Sequence, residues 1–378
     1  MGIVIIGAGV LGASAAYHLA KAGVEVTVID ANLDGRATAA GAGIICPWVS
    51  DVDDPAFHRL YTAGGEYYPD LIAALGQRGE TDTGFRRTGA MLVSGDAAEL
   101  DWFESMARRR AVAAAGAVFR VSAKEARALF PPLRPGLGGV LIAGGARVDG
   151  VRLTAALQRA AGAYGASVRR GHAAVVAAAG RVVGVEVDGQ RIPAERVIVA
   201  AGAWTDRVLR ELGLGVAVEP QRGQIMHLQL DGAETEGWPV ILPPGSHYIV
   251  PFDSGRIVAG ATRESGTGFD YRVTAGGQAE VLAAALSVAP GLAVATVLET
   301  RVGFRPTGAE VRPSLGWVRG VDGLAVGTGL GAAGLTIGPM AGRLLADLVT
   351  GQGGLMDLGP FDPMRRVGSD AERPVSLR

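Results

Sequence analysis

The chain opens with MGIVIIGAGVLGASAAYHLAKAGVEVTVID, residues 1–30, and the reading of this stretch decides the fold. Ile3 to Ile6 is an apolar run too short for a helix and closed by glycine, as expected of a parallel strand buried on both faces. Leu11, Ala15, Leu19 and Ala22 recur at helical spacing. Val24 to Ile29 is β-branched and reads as a second strand. Together they make a βαβ unit of about 30 residues. Gly7 permits a tight turn out of the first strand, Gly9 lets backbone approach a pyrophosphate, and Gly12 lets the helix pack close to the strand. The free N–H groups and dipole of the helix start hold phosphates. Asp30 is spaced to accept hydrogen bonds from a ribose hydroxyl. A glycine-rich turn in an ordinary α/β protein, with Asp30 a plain strand-end acid, is the competing reading. Strand, helix, strand and acid agree, and the expectation is a dinucleotide site.

Working outward, 378 residues suffice for two domains with proper cores. A net charge of −1 excludes a strong field for nucleic acid or acidic membranes. The single cysteine, Cys46, excludes an internal disulfide and any multi-cysteine metal site. No His-x-x-His pair or acidic cluster suggests a metal. The first strand starts at residue 3, which leaves no room for a signal peptide, so a reducing cytosol is expected. The uncharged stretch Gly323 to Gly342 imitates a membrane span, but its glycines and Pro339 read better as a strand, a glycine turn and a helix from about Pro339. Lys21 and Lys124 are the only lysines, so nearly all the 36 basic residues are arginine and no arginine counts as functional by default.

Further along, Phe57, Leu60, Tyr61, Tyr68, Leu71 and Leu75 fall at helical spacing and read as helix core. Arg108 to Arg110 read as a solvated helix end. Ser122 and Glu125 form a capping box. Asp149 is placed to cap a helix from about Val151 to Gly162. Short strands follow, separated by Gly180 and by the Asp188-Gly189 turn. Strand-like runs recur at Ile225–Leu230, Tyr248–Val250 and Arg256–Ala259, then a helix near 279–288. The organisation is interleaved. Residues 1–50, 145–215 and 305–365 are expected to form the nucleotide-binding domain, and 51–144 with 216–304 a substrate domain. Residues 366–378 read as a polar tail.

The ordered pieces IIGAGVLGASAAYHLAKAGVEVTVID, VIVAAGAW, QRGQ, YIVPF, VAGATRE, GFRPTGAEVRPSLG and GLGAAGLTIGPMAGRLLADL span nearly the whole chain. With these spacings the sequence resembles the FAD-dependent D-amino-acid oxidase family, most closely its glycine oxidase, sarcosine oxidase and D-amino-acid dehydrogenase branch. The resemblance implies an α/β fold: a Rossmann-type FAD-binding domain interleaved with a substrate domain on a largely antiparallel sheet. It implies non-covalent FAD, since the late cysteine used for covalent attachment in the sarcosine oxidase branch is missing here. It assigns Gly7, Gly9, Gly12 and Asp30 to adenosine and pyrophosphate, and places Thr38 and Gly41 near the flavin. Val175 meets the adenine through its backbone, and Gly202 and Trp204 close over the cofactor. The turn Gly331, Ala332, Gly334, Leu335, Thr336 lies against the pyrimidine end of the flavin, where a helix start would stabilise negative charge.

Tyr248 and Arg305 match the positions that hold the substrate carboxylate in glycine oxidase-like enzymes. The chemistry is sensible, because a guanidinium offers two parallel donors and a phenol a third. Without the resemblance, Tyr248 reads as a packed strand tyrosine and Arg305 as a surface arginine. Cys46 reads as a buried small residue and His18 as structural, while His227 and His247 are candidates to line the pocket. A second arginine clamp of glycine oxidase is replaced by Ala332. The expected compensation is apolar contact with a bulkier D-amino acid or a cyclic or N-alkylated one, or else Arg222 or another arginine swinging in. The expected reaction oxidises a C–N bond by hydride transfer to flavin N5, giving an imine that hydrolyses. O2, a quinone or a dye is the acceptor. A dehydrogenase component feeding a quinone or partner subunit, peripheral to the membrane, is the alternative. A flavin-binding protein without amine chemistry is a second. A homo-oligomer is left open.

Overall fold

The computed structural model describes residues 2–365; the tail read at 366–378 lies outside the described residues. The opening stretch folds as strand Ile3–Ile6, helix Val10–Lys21 and strand Val26–Asp30. These strands join a six-stranded sheet in the order Ser314–Trp317, Leu324–Thr328, Arg196–Val199, Ile3–Ile6, Val26–Asp30, Ser167–Arg170. All neighbours are parallel except the outermost Ser314–Trp317.

The apolar run at the start has a direct cause in this sheet. Successive side chains face opposite ways. Ile3 and Ile5 enter one core with Tyr17, Leu19, Leu344 and Leu345. Val4 and Ile6 enter another with Val175, Val185, Val197 and Val326. One face is covered by helices Val10–Lys21, Gly150–Ala163 and Gly334–Thr350. The other is covered by the antiparallel three-stranded sheet Ala173–Ala178, Arg181–Val187, Gln190–Pro193. Asp149 caps Gly150–Ala163 by accepting from the Val151 and Arg152 N–H groups, and Ser122 and Glu125 form the expected capping box.

A second sheet has eight strands: Thr296–Gly308, Val218–Gln229, Arg256–Gly260, Tyr248–Pro251, Val240–Leu242, Ala90–Ser94, Gly138–Ile142 and Val118–Val121. It is antiparallel except between Val240–Leu242 and Ala90–Ser94. The fold is thus a Rossmann-type parallel sheet beside a largely antiparallel one. Helix Pro55–Gly76 sends Leu60, Tyr68, Leu71 and Leu75 into the core that holds the first helix. Strand Thr296–Gly308 runs across residue 304 without a break. We propose the interleaved division 1–50, 145–215 and 305–365 against 51–144 and 216–304 as two units around the two sheets, bridged by these two elements. Among the described residues no helix is long and apolar enough to cross a membrane.

One expectation needs correction. The last helix starts at Gly334, not near Pro339, which lies inside it. Pro339 has no N–H for the carbonyl of Leu335, four residues back. The buried Tyr68 hydroxyl donates to that carbonyl instead, at 2.5 Å. A hydroxyl from helix Pro55–Gly76 therefore completes the ladder that proline interrupts. Tyr68→Phe orphans a buried carbonyl, and denaturant unfolding should show a loss of about 1–3 kcal/mol. An unchanged midpoint would show that water or another donor satisfies Leu335.

Candidate active site

A cavity of about 610 Å³ opens between the two sheets, and the glycine turn forms one end of it. Gly7 has φ +107°, and a Cβ there would sit 2.4 Å from the Ala200 carbonyl oxygen. A Cβ on Gly12 would sit 2.0 Å from the Gly7 oxygen. Gly12 therefore lies beneath the turn, and the cavity is lined by Gly7 and Gly9. Helix Val10–Lys21 has no side-chain cap from Gly9. The Thr38 hydroxyl accepts from the Val10 N–H at 3.2 Å, and Thr38 and Gly41 both line the cavity. Asp30 also lines it. Its two oxygens accept from the Ala8 and Asn32 N–H groups, each at 2.6 Å. Each oxygen keeps a lone-pair site for a further donor.

Gly202, Trp204, Gly331, Ala332, Gly334 and Leu335 line the cavity. Trp204 stacks on Phe269 with centroids 4.8 Å apart and meets the edge of Phe304. Thr336 does not line it: the residue is buried and its hydroxyl donates to the Ile44 carbonyl at 3.0 Å. Val175 points into the core, and its strand neighbours Ala173 and Ala174 line the cavity instead. Helix Gly334–Thr350 also begins at the cavity without a side-chain cap. Two helix N-termini thus point their dipoles at one space.

Cys46 is buried at the wall, and burial pushes its thiol up to about 12. His18 is far from this chemistry. It hydrogen-bonds the Tyr67 hydroxyl at 2.7 Å, and burial lowers its pKa to about 3. His247 lines the cavity, but His227 does not: its side chain is buried, 3.9 Å from Glu299. By period-two alternation His227 shares the strand face of Gly223, but it lies four residues farther along, opposite Glu299 and beyond the cavity.

The other end of the cavity is cationic. Arg305, on Thr296–Gly308, lies flat over Gly223, where a Cβ would come 2.6–2.8 Å from its Nη1, Nη2 and Cζ atoms. Its Nη1 donates to the Thr262 carbonyl at 3.1 Å. Burial raises the pKa of Tyr248, partly offset by the charges of Arg305 and Arg263, so the phenol keeps its proton at neutral pH. The residue that sequence reasoning missed is Arg263. It lines the same cavity, and burial, then the Arg305 charge, push its pKa down. It stood inside the motif VAGATRE, masked by the abundance of arginine. Arg222 is not in the lining. It is buried, with Nη2 2.5 Å from Glu264 and Nη1 2.9 Å from Asp270. Among the described residues the acids lining the cavity are Asp30 and Glu211, and neither lies on the strands that carry Tyr248 and Arg305.

A parallel sheet whose glycine turn opens onto a cavity shared with an antiparallel sheet defines a nucleotide-cofactor oxidoreductase. The chain belongs to the FAD dependent oxidoreductase family, whose model matches residues 2–348. It is 49% identical over 363 residues to the uncharacterized oxidoreductase YurR of Bacillus subtilis, covering 95% of this chain and 98% of that one. It is 32% identical to the glycine oxidase of Pseudomonas putida, covering 97% and 99%. The crystal structure of iminodiacetate oxidase (IdaA) from Chelativorans sp. BNC1 superposes with a TM-score of 0.94 at 51% identity, covering 96% and 98%. That of glycine oxidase from Geobacillus kaustophilus superposes at 0.88 with 28% identity, covering 97% and 99%. The protein is an FAD-dependent oxidoreductase, and the cradle fits the cofactor: bare glycine backbone, the start of helix Val10–Lys21 and the Asp30 carboxylate face one space.

Asp30→Ala removes the carboxylate that also holds the Ala8 and Asn32 amides. A charged hydrogen bond is worth ~1.5–3 kcal/mol, so the FAD dissociation constant of the apoprotein, read by flavin fluorescence, should rise roughly 10- to 150-fold. An unchanged constant would remove Asp30 from the cofactor site. Acid precipitation should leave the flavin in the supernatant; a yellow pellet would mean a covalent link.

Proposed function

We propose that the protein oxidises the C–N bond of an amino acid whose amine is secondary and flanked by two carboxylates, as in iminodiacetate and related N-carboxymethyl amino acids. The observation that carries this reading is the pair Arg305 and Arg263 lining one cavity with Tyr248, whose phenol feels the charge of both. Arg305 and Tyr248 bind one carboxylate through a planar fork and a phenol donor. Arg263 supplies the charge for the second. The iminodiacetate oxidase at 51% identity supports this assignment by likeness. With Ala332 in the late turn, a guanidinium from Arg263 rather than apolar surface replaces the missing clamp. Arg222, the other candidate, is held by Glu264 and Asp270.

Two guanidiniums also act on the amine. Positive neighbours disfavour an ammonium, so the substrate nitrogen is held towards its neutral form. That removes the need for a dedicated protein base. FAD, when bound, accepts the hydride from the carbon beside that nitrogen. The resulting imine takes up water and separates into an amine and a 2-oxo or aldehyde acid. Oxygen is the acceptor on this reading, since the named relatives are oxidases. Oxygen uptake against dye reduction distinguishes it from transfer to a quinone or partner subunit.

The test is kcat/KM across iminodiacetate, sarcosine, glycine, D-alanine and D-proline. Iminodiacetate should exceed sarcosine by roughly 10-fold or more, the worth of one charge-assisted contact. Arg263→Gln should erase that margin and leave sarcosine nearly unchanged. Arg305→Lys should raise KM for every carboxylate substrate. A wild-type enzyme that prefers D-proline or glycine would overturn the two-carboxylate reading.

A further inference from the structure

Behind the clamp lies a polar network whose members, Arg222, Gln224, Thr262 and Glu264, stand outside the cavity lining. Its centre is Glu264. One oxygen, Oε1, accepts from the Thr262 hydroxyl at 2.7 Å and from Gln224 Nε2 at 2.8 Å. The other, Oε2, accepts from Arg222 Nε at 3.1 Å and Nη2 at 2.5 Å. The backbones repeat the connection. Arg222 and Glu264 exchange both N–H···O bonds at 2.9 Å, and the Gln224 N–H donates to the Thr262 hydroxyl at 2.9 Å. Burial works against the charge of Glu264, but the hydrogen bonds from Arg222, Gln224 and Thr262 prevail and hold its carboxyl below the ordinary range.

What this network holds is the segment 262–264. The Thr262 carbonyl is the acceptor that aims Arg305, and the next residue is Arg263. Thr262 is fully buried. Its hydroxyl donates to Glu264 while accepting from Gln224, so its orientation depends on both. Gln224 lies one residue beyond Gly223, the floor on which the Arg305 guanidinium rests. Floor, acceptor and second arginine are therefore fixed to one carboxylate.

We propose that Glu264 is a positioning residue for the carboxylate clamp: by joining Thr262, Gln224 and Arg222 it sets the directions in which Arg305 and Arg263 meet the substrate. It also keeps Arg222 out of the clamp. The proposal rests on the reading of Arg305 as the carboxylate ligand. Glu264 does not touch the substrate, so its removal changes binding through Arg305 and leaves the flavin in place.

The experiment uses flavin-loaded wild type, Glu264→Gln, Thr262→Val, Arg305→Lys and the doubles of the first two with the last. Each is titrated with acetate, a carboxylate without an oxidisable amine, and followed by flavin absorbance; KM and kcat are measured on the dicarboxylate amine. Glu264→Gln should raise the acetate dissociation constant and KM about 10-fold, with kcat changed less than about 3-fold. Thr262→Val should act in the same direction. In the Arg305→Lys background Glu264→Gln should add less than about 2-fold, because the two act as one unit. A general loss of structure would instead lower kcat and multiply through in both backgrounds, and that additive result overturns the proposal. Should Glu264→Gln not hold flavin, the Thr262→Val cycle decides by the same criterion. Loss of acetate binding in Arg305→Lys with none in Glu264→Gln or Thr262→Val overturns this inference alone. Unchanged binding in Arg305→Lys overturns the clamp reading and this inference together.

Discussion

The antiparallel ladder between Val218–Gln229 and Thr296–Gly308 is the interaction on which the site depends. The second strand of that ladder serves both ends of the cavity. Its Phe304 N–H donates to the Gly35 carbonyl at 2.8 Å, and Arg301 Nη1 donates to the Ala39 carbonyl at 3.1 Å. A Cβ on Gly303 would lie 2.7 Å from that of Ala40. The strand thus lies directly on the loop that carries Thr38 and Gly41, and two residues later it presents Arg305. The spacing between the Thr38–Gly41 loop and Arg305 is a property of one strand. A slip of one residue in the ladder would turn Arg305 to the opposite face.

Arginine is abundant here, and the fold gives it contrasting uses. Arg222 is buried with two carboxylate partners, Glu264 and Asp270. Arg147 is buried with Asp253 at 2.5 Å and lies over the Phe252 ring. Both are compensated where they stand, as buried charge must be. Arg305 and Arg263 instead line the cavity wall, where burial, then the Arg305 charge, lowers the pKa of Arg263.

The opening βαβ unit was legible because its signals are local: an apolar run, helical spacing, glycine spacing and a terminal acid lie within thirty residues. Ser122 with Glu125 and Asp149 were legible for the same reason, since capping is short-range. Arg263 was not, because its role depends on Arg256–Gly260 pairing with Val218–Gln229, a contact between segments far apart in sequence. The last helix was expected to start at about Pro339 because proline suits a first turn, but it extends back to Gly334: Tyr68, 267 residues away, donates to the Leu335 carbonyl that proline leaves unpaired. Thr336 lay in the right segment, yet packing turned its side chain from the cavity; Val175, expected to act through its backbone, has its side chain in the core.

The position of the last helix bears on how the chain matures during synthesis. The first helix packs on Gly334–Thr350 so closely that a Cβ on Gly342 would sit 2.5 Å from the Leu11 oxygen. The Ser14 hydroxyl donates to the Pro339 carbonyl at 2.6 Å, spanning 325 residues. The glycine turn leaves the ribosome 325 residues before the partner that supports it. Until that partner emerges the first helix has an exposed apolar face, the situation in which long-range topologies are slow and prone to associate. Completion of the cofactor cradle is therefore coupled to docking of helix Gly334–Thr350 rather than to folding of the first motif alone.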